Sequence, residues 1–576
     1  MEQGKKKIII FDNHLNAGEV IKIARSKDVL VIPFSAKCRL ALKKNGIVSA
    51  FPHELLGLPD MNRIGAENIA RVKKICDYLD CKAAYFRIKV FFDTLYTTYF
   101  ILDKLLDFLH PAEVVVFKSG SSVEDLVEGD DSICSEIMEK VLKHKHRDII
   151  LSVFMSKGSP NLLSRFIGKA HHLKQLLVRG LSYIIGGRRN YIVLHNSHDI
   201  PYLIRILNGM GMRAIGLNSE EFALSRQPKV PDSLSNPIKE LFAKARSDKE
   251  YRLIFDSDEP LFSFANACLE TYITKGMTIF GPADRIRNRL SALKPLFLVT
   301  SDCRCGPGDA ILLETARSLK IPVVTYQEGG GAGYLDWPLF NIDMELSNYF
   351  LAYGPGVKES AYMHGEAKIV PVGSLRLDSV RRLMRNETCK ERTICVVLDN
   401  IKTGLYQHYP HNGGFFSEAY TLQLRILEAL KPFKDMRFII KTVKGREYLY
   451  KDFDGGRFRI ETRPLEDIAH GSDAFLIDSP STVLQECMLS EKPIVLFHSQ
   501  ADIKFEPDAL VLLEKRARVV SREDELAAAV RSLIEDVKSG NAMTRNKEFT
   551  NRYCVMEKTG KNVEQFFGTL TKEGAA

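Results

Sequence analysis

Short runs of aliphatic and β-branched residues recur along this chain, almost none with polar alternation, and helical patterns of ten or more residues separate most of them. They are Ile8–Phe11, Val29–Pro33, Val114–Phe117, Tyr191–Leu194, Leu296–Thr300, Val323–Tyr326, Ile394–Leu398, Phe438–Lys441, Ala474–Ile477 and Ile494–Phe497. A strand with one face in water alternates, so a strand that does not alternate has helices over both faces. Strand and helix patterns taking turns predict βαβ units and parallel sheets.

With 576 residues the chain exceeds the size at which one core keeps growing. Two breaks in pattern divide it. Ser156–Asn190 is basic, helical in pattern and flanked by Gly and Pro, and Arg381–Arg392 is charged and nearly devoid of large apolar residues. The expected parts are an N-terminal α/β domain over 1–155, a middle Rossmann-like domain over 156–385 and a C-terminal one over 386–576.

Hydrophobic residues make up 45% and charged residues 27%, the balance of a globular protein. The N-terminus lacks a long apolar stretch after its lysines, and nothing approaches the ~18 apolar residues of a membrane span. Eleven scattered cysteines, with Cys395 and Cys487 inside apolar runs, point to thiols in a reducing cytoplasm. Cys303 and Cys305 form a lone C-x-C without a second pair, and no H-E-x-x-H or EF-hand pattern occurs, so no metal site is expected. The net charge of +9 is mild; it fits an anionic ligand such as a nucleotide, or anionic lipid, and no nucleic-acid partner is expected. Within 160–189, basic residues interleave with Leu, Phe and Ile. Such a helix lies in a membrane interface, giving peripheral contact with the inner face of a membrane, or packs its apolar side on a sheet.

The segment Ala474–Phe497 reads AFLIDSPSTVLQECMLSEKPIVLF. A buried strand ends at Ile477, Asp478–Pro480 turns, and a helix begins near Ser481, where free backbone N–H groups form an anion site. Ser479, Ser481 and Thr482 add hydroxyls, and Glu486 lies further along the same helix, placed for a ribose or sugar hydroxyl. An ordinary capped βαβ turn has the same pattern. In open α/β sheets ligands bind at the carboxyl ends of strands, where this loop lies.

This D-S-P-S-T…E…K-P-I-V-L-F arrangement resembles the donor-site motif of GT-B-type glycosyltransferases of bacterial surface polysaccharide biosynthesis. The groups concerned are the CDP-glycerol glycerophosphotransferases, polysialyltransferases and capsular Kdo-transferases. The resemblance implies that Ser481 and Thr482 contact the nucleotide phosphate, with Ser479 nearby and Glu486 as acidic partner. Lys368–Asp378, KIVPVGSLRLD, is similar to the V-G-(N/S)-x-R-x-D segment of these families, which implies that Gly373 and Ser374 sit at the interdomain cleft. Phe438–Arg446 matches a strand ending in Lys, here Lys441, but Val443–Lys444 replace the His-Pro pair that often follows. The resemblance spans roughly Leu296 to Glu535.

In the middle part a buried strand ends at Thr300 before a Gly/Asp loop. A helix from about Asp309 then leads to a strand ending in Gln327–Glu328–Gly329–Gly330–Gly331. The glycines allow close approach of a ligand or a tight turn, and they do not form a G-x-G-x-x-G fingerprint. Related transferases often carry Q-H-G at this strand end. Glu328 is the favoured general base, with Asp302 and Asp309 as rivals and Gly329 and Gly330 as substrate-binding positions. His195, His198 and Asp199 follow the strand Tyr191–Leu194 at its carboxyl edge. His408 and His411, in the loop LYQHYPHNGG, are further substrate-binding candidates.

The expectation is an α/β protein with two facing Rossmann-like domains and an additional N-terminal α/β portion. Its expected activity is metal-independent transfer of a sugar from a CMP- or UDP-linked donor to a surface glycan or lipid-linked acceptor, with no cofactor beyond the nucleotide sugar. A CDP-polyol phosphotransferase and a non-catalytic nucleotide-sugar-binding member of an assembly complex are the alternatives.

Overall fold

The computed structural model describes residues 7–11, 17–25, 29–34, 36–50, 55, 74, 99, 101–118, 141–142, 146, 148–155, 190–194, 197–216, 240, 242–253, 262–263, 265–267, 270, 283–303, 307–336, 339–383, 392–401, 406–407, 414–498, 504–540 and 545–573. The chain divides into two compact units. One comprises Met1–Asn190, Lys229–Met277 and Thr403–Leu405; the other comprises Tyr191–Pro228, Thr278–Lys402 and Tyr406–Ala576.

The first unit holds a parallel sheet of β1 (Lys7–Phe11), β2 (Val29–Pro33), β3 (Glu113–Lys118) and β4 (Ile150–Met155), in the order β2-β1-β3-β4. Its core is the aliphatic set Ile9, Val20, Val31, Leu42 and Val115 with Phe117. At the start of the sheet, Lys7 donates to Glu113 at 2.8 Å and Ser152 to the same carboxylate at 2.9 Å, tying three strands in register. Lys7 and Ser152 hold the Glu113 carboxyl below its ordinary range against the opposing effect of burial.

The second unit holds two sheets. The middle sheet is built from β5 (Asn190–Val193), β6 (Arg213–Gly216), β7 (Leu298–Thr300), β8 (Val323–Tyr326), β9 (Tyr349–Ala352) and β10 (Lys368–Pro371). Its order is β10-β9-β8-β7-β5-β6. The C-terminal sheet is built from β11 (Thr393–Val397), β14 (Arg437–Lys441), β15 (Phe458–Glu461), β16 (Ala474–Ile477), β17 (Ile494–Phe497) and β18 (Arg518–Val520). The intervening β12 (Tyr406–Gln407) and β13 (Gly414–Phe415) form a separate two-stranded antiparallel pair. The order β15-β14-β11-β16-β17-β18 is the doubly wound Rossmann order, with β11 and β16 flanking the point where winding reverses. In the middle sheet the reversal lies between β5 and β7.

Every residue of β7, β8, β11, β16 and β17 is buried, which is why these runs carry no polar alternation. The expected α/β class, two Rossmann-like sheets with a further N-terminal α/β portion, is what the chain forms. Among the described residues no helix is long and apolar enough to cross a membrane.

The end of the chain returns to the middle sheet. Phe567, on the helix Thr559–Glu573, packs its ring 4.9 Å from that of Phe297, which in turn stacks on Tyr191 at 5.2 Å. Phe566 meets Tyr349 edge-on at 5.3 Å. The preceding helix, Glu548–Tyr553, lies so close to Gly354 that a methyl group there would come within 2.2 Å of the Arg552 carbonyl oxygen. The polypeptide that follows the C-terminal sheet therefore forms part of the middle layer's cover.

Replacing Phe567, which is fully buried, by Ala removes this wedge. The expected loss is about 3–5 kcal/mol. Urea unfolding followed by circular dichroism reads it as a lower midpoint, and a wild-type midpoint would show that the returning helix does not stabilise the unit.

Candidate active site between two sheet edges

At the reversal point of the middle sheet two loops meet. Ser197, after β5, and Ser301, after β7, share a hydrogen bond of 2.6 Å. Glu328, directly after β8 and Gln327, reaches the same place. Its Oε1 lies 3.5 Å from His198 Nε2 and accepts from Ser197 Oγ at 3.4 Å. The His198 and Glu328 side chains retain 32% and 23% of their exposure, enough for an incoming molecule to touch both. A carboxylate beside an imidazole at a sheet's carboxyl edge can accept and hold a proton.

Behind this pair lies Asp199, almost wholly buried. Its carboxylate accepts from Tyr353 Oη at 2.6 Å, from Ser374 Oγ at 3.0 and 3.1 Å, and from the Arg376 backbone N–H at 2.8 Å. Burial raises its pKa and these donors oppose the shift, Tyr353 most strongly. Gln327 braces the next loop, donating to the Gly329 carbonyl at 2.8 Å and accepting from Tyr353 N–H at 2.9 Å.

The two sheets face each other through their carboxyl edges. Gly330 N–H donates to Thr482 Oγ1 at 3.0 Å, and Tyr334 Oη to the Pro480 carbonyl at 3.2 Å. Gly329 has φ +70°, and a Cβ there would come within 2.2 Å of Thr482 Oγ1; one at Gly330 would meet the Ser481 backbone at 2.9 Å. Only glycine lets the two backbones approach this closely.

Arg376, on the helix Leu375–Leu383 after β10, crosses to the C-terminal sheet. Its guanidinium hydrogen-bonds Glu486, on the helix Thr482–Met488, and lies 3.7 Å from Glu466. Burial disfavours charge on both members of the Arg376–Glu486 pair, and on Glu486 it is the leading influence, pushing its pKa up. The pair is nonetheless ionised, because a guanidinium does not lose its proton in proteins and donates directly to the carboxylate. His198 is close enough to Glu486 to favour the charged form as well. Lys441, at the end of β14, feels Glu486 and Glu466, although burial lowers its pKa first. Arg376 and Lys441 thus bring positive charge to one cleft, beside His198 and against Glu328, Glu466 and Glu486.

The turn after β16 has the local form read from the sequence. Ser481 occupies the N-cap position with extended backbone, and its side chain makes no cap bond. Ser479 is buried, and its hydroxyl has no hydrogen-bond partner. Asp478 is buried at the reversal point of the C-terminal sheet. It accepts from Asp399 N–H at 2.7 Å and from Gln423 Nε2 at 2.5 Å. Burial first, and the Asp399 carboxylate second, push its pKa up to about 8.

Of the residues singled out from sequence, Glu328, Gly329, Gly330, Ser481, Thr482, Glu486 and Lys441 belong to this cleft. Gly373 and Ser374 lie behind it, the former accepting from Tyr326 Oη at 2.7 Å, the latter serving Asp199. Asp302 stands in the loop after β7, where its carbonyl accepts from Thr300 Oγ1 at 2.7 Å. Asp309 falls within the helix Pro307–Ser318, its side chain outside the described residues. His195, His408, His411, Cys305 and the basic stretch 160–189 also lie outside them. Cys303, Cys395, Cys487 and Cys554 are buried thiols, and among the described residues no group of three or more His, Cys, Asp or Glu could hold a metal ion. Arg376 and the His198–Glu328 contact were not read from sequence. Arg376 is the arginine of the V-G-S-L-R-L-D segment, which was the available signal.

No family model and no curated protein matches the chain. Among solved structures it is similar to UDP-GlcNAc 2-epimerase from Methanocaldococcus jannaschii, at 13% identity over 66% of this chain and 99% of that one, with a TM-score of 0.38. MurG from Acinetobacter baumannii gives 13%, 66% and 99% with a TM-score of 0.37. The spinosyn rhamnosyltransferase SpnG gives 13%, 66% and 100% with 0.38. At these values the likeness assigns no activity.

Asp478 supplies a pH test. Its pKa in the folded chain lies above the ordinary carboxyl value of 3.8, so its contribution to stability is complete at low pH and is lost as pH rises toward 8. This one group gives a slope of up to about 1.4 kcal/mol per pH unit between roughly 4 and 8. Urea midpoints measured from pH 5 to 8 should fall for the wild type more steeply than for Asp478→Asn. Parallel profiles would mean that the buried carboxyl carries no proton.

Proposed function

We propose that the cleft transfers a sugar from a CMP- or UDP-linked donor to a hydroxyl of a surface glycan or lipid-linked acceptor. The observation that carries this reading is the convergence of two parallel-sheet carboxyl edges, one with a carboxylate–imidazole pair and Arg376, the other with the half-buried Lys441 and a helix start. Open α/β sheets bind ligands at such edges. The donor nucleotide lies on the C-terminal side, its phosphate at Ser479–Thr482 with Arg376 and Lys441 as counter-charges. Support comes from the buried, unpartnered Ser479 hydroxyl and from the two cations. Glu486 holds Arg376 through one oxygen and offers the other to a ribose or sugar hydroxyl.

In the reaction, Glu328 takes the proton of the acceptor hydroxyl, with His198 beside it to share the charge. The acceptor oxygen bonds to the anomeric carbon as the carbon–oxygen bond to phosphate breaks, and the electron pair leaves on the nucleotide. Fixed donors and cations stabilise that developing charge in a site that excludes water, without requiring a metal ion.

Calorimetry with CMP, CDP and UDP, in buffer containing EDTA, tests the donor side. Ser481→Ala and Thr482→Ala should each weaken binding of whichever nucleotide binds by about 1.5–3 kcal/mol, a tenfold loss or more. Unchanged affinity in both rejects the donor assignment.

Glu328→Gln tests the acceptor side, since it keeps size and removes basicity. Turnover should fall about 10²–10⁴-fold while nucleotide affinity stays put. Near-normal turnover in a folded variant would exclude Glu328 and turn attention to Asp302 and Asp309.

A further inference from the structure

The buried Asp199 takes no part in the chemistry proposed above, yet it is bonded directly or through Tyr353 to the segments that present the groups of the cleft. Its chain neighbour His198 has φ +48°, a left-handed conformation that is strained for a non-glycine residue. Ser197 and Ile200 close the turn around both residues, with Ile200 N–H donating to the Ser197 carbonyl at 3.0 Å. One Asp199 oxygen accepts from Tyr353 Oη, and that hydroxyl accepts in turn from Gly329 N–H at 3.3 Å, one residue beyond Glu328. The other oxygen accepts from the backbone N–H of Arg376. Ser374 Oγ bridges both oxygens and accepts from Leu377 N–H at 3.0 Å, which fixes the start of the helix that carries Arg376.

The loops after β9 and β10 therefore converge on one carboxylate in the turn after β5, and Tyr353 links the Gly329 turn after β8 to it. Asp199 does not cap its own helix: the residue is at the N-cap position of Ile200–Gly209, but its side chain makes no cap bond. It is turned inward to the donors of other elements. A role confined to starting that helix would need none of Tyr353, Ser374 or Arg376.

We propose that Asp199 is the positioning residue of this site, holding His198, the Glu328–Gly329 turn and Arg376 in one fixed arrangement. The proposal deepens the transferase reading and rests on it for the kinetic arm alone. With Asp199 in place, His198 keeps its strained backbone and stays within reach of Glu328, while Arg376 starts its crossing from a fixed point. Replacing Asp by Asn keeps the shape but removes the charge and sets an amide N–H₂ against one of the donors. Either the Tyr353 or Ser374 hydroxyl then gives up its present bond to accept from the amide, or the Arg376 loop shifts. A displacement of about 1 Å in a reacting group lowers turnover by up to about 10²-fold.

The variants are Asp199→Asn, Tyr353→Phe and Ser374→Ala in the full chain, each checked by thermal unfolding. The first readout is the ring ¹H–¹³C cross-peak of His198, identified by its loss in His198→Gln. The second is the separation of kcat from KM with CMP- and UDP-linked sugars. The expected result for folded Asp199→Asn is a moved His198 peak and a kcat lower by about 10- to 100-fold, with donor KM raised as well because Arg376 loses its fixed starting point. Tyr353→Phe should move the peak in the same direction by less. If Asp199→Asn does not fold, Tyr353→Phe and Ser374→Ala decide the matter. A wild-type His198 peak in the folded variants overturns the proposal. A moved peak in a protein that turns over no nucleotide sugar supports the positioning role and rejects the transferase reading instead.

Discussion

The ion pair between Arg376 and Glu486 sets the terms for everything around it. Each partner sits at the carboxyl edge of a different sheet, Glu486 buried and Arg376 partly so, and the guanidinium is the counter-charge that keeps the buried carboxylate ionised. Removing one member of such a pair leaves an uncompensated charge, with a typical cost of about 3–5 kcal/mol. The two edges are consequently held at one separation, and the neutral contact of Gly330 with Thr482 fits that separation and no larger one. A cleft pinned at two points presents its groups in a nearly fixed arrangement, which is what charge stabilisation during a reaction requires. The returning helices at the end of the chain add a third tie, apolar and remote from the chemistry.

Most of the interior of the fold was legible in the sequence, and most of its margins were not. Strands such as Val323–Tyr326, Ala474–Ile477 and Ile494–Phe497 are covered on both faces, and a covered strand must be apolar throughout. Ile150–Met155, Arg213–Gly216, Lys368–Pro371, Phe458–Glu461 and Arg518–Val520 went unread as strands, and all lie at sheet edges, where partial exposure admits polar residues into short runs. Tyr349–Ala352 went unread although it is an interior strand, because its four apolar residues include no β-branched one and periodicity alone does not tell so short a run from a buried helix segment.

The site divides in the same way. Glu328 could be picked out because a strand end and three glycines surround it, and Ser481–Thr482 because strand, turn and helix follow within eight residues. Local pattern carries such features. The partners of these residues are another matter. His198 and Glu328 are separated by 130 positions, Gly330 and Thr482 by 152, and Arg376 and Glu486 by 110, so no periodicity connects them. Each pairing exists because sheet order brings the ends of distant strands together. The Ser197–Ser301 bond, for instance, follows from β5 and β7 being neighbours.

Burial then sorts the acidic residues of this region by what they are able to do. Asp199 and Asp478 each stand just beyond a strand at a reversal point, and each receives a backbone N–H from another loop, that of Arg376 in one case and of Asp399 in the other. Where strands end, backbone N–H groups lose their ladder partners and need other acceptors. A carboxyl oxygen can serve as that acceptor, and a group used in this way is shielded from an incoming molecule. Glu486 is held by Arg376 through one of its two oxygens. Glu328 differs from all three. Its contacts with Ser197 and His198 are long, at 3.4 and 3.5 Å, and nearly a quarter of its side chain stays accessible. A group that must exchange a proton has to be reached by the incoming hydroxyl, and the partial exposure of Glu328 meets that condition.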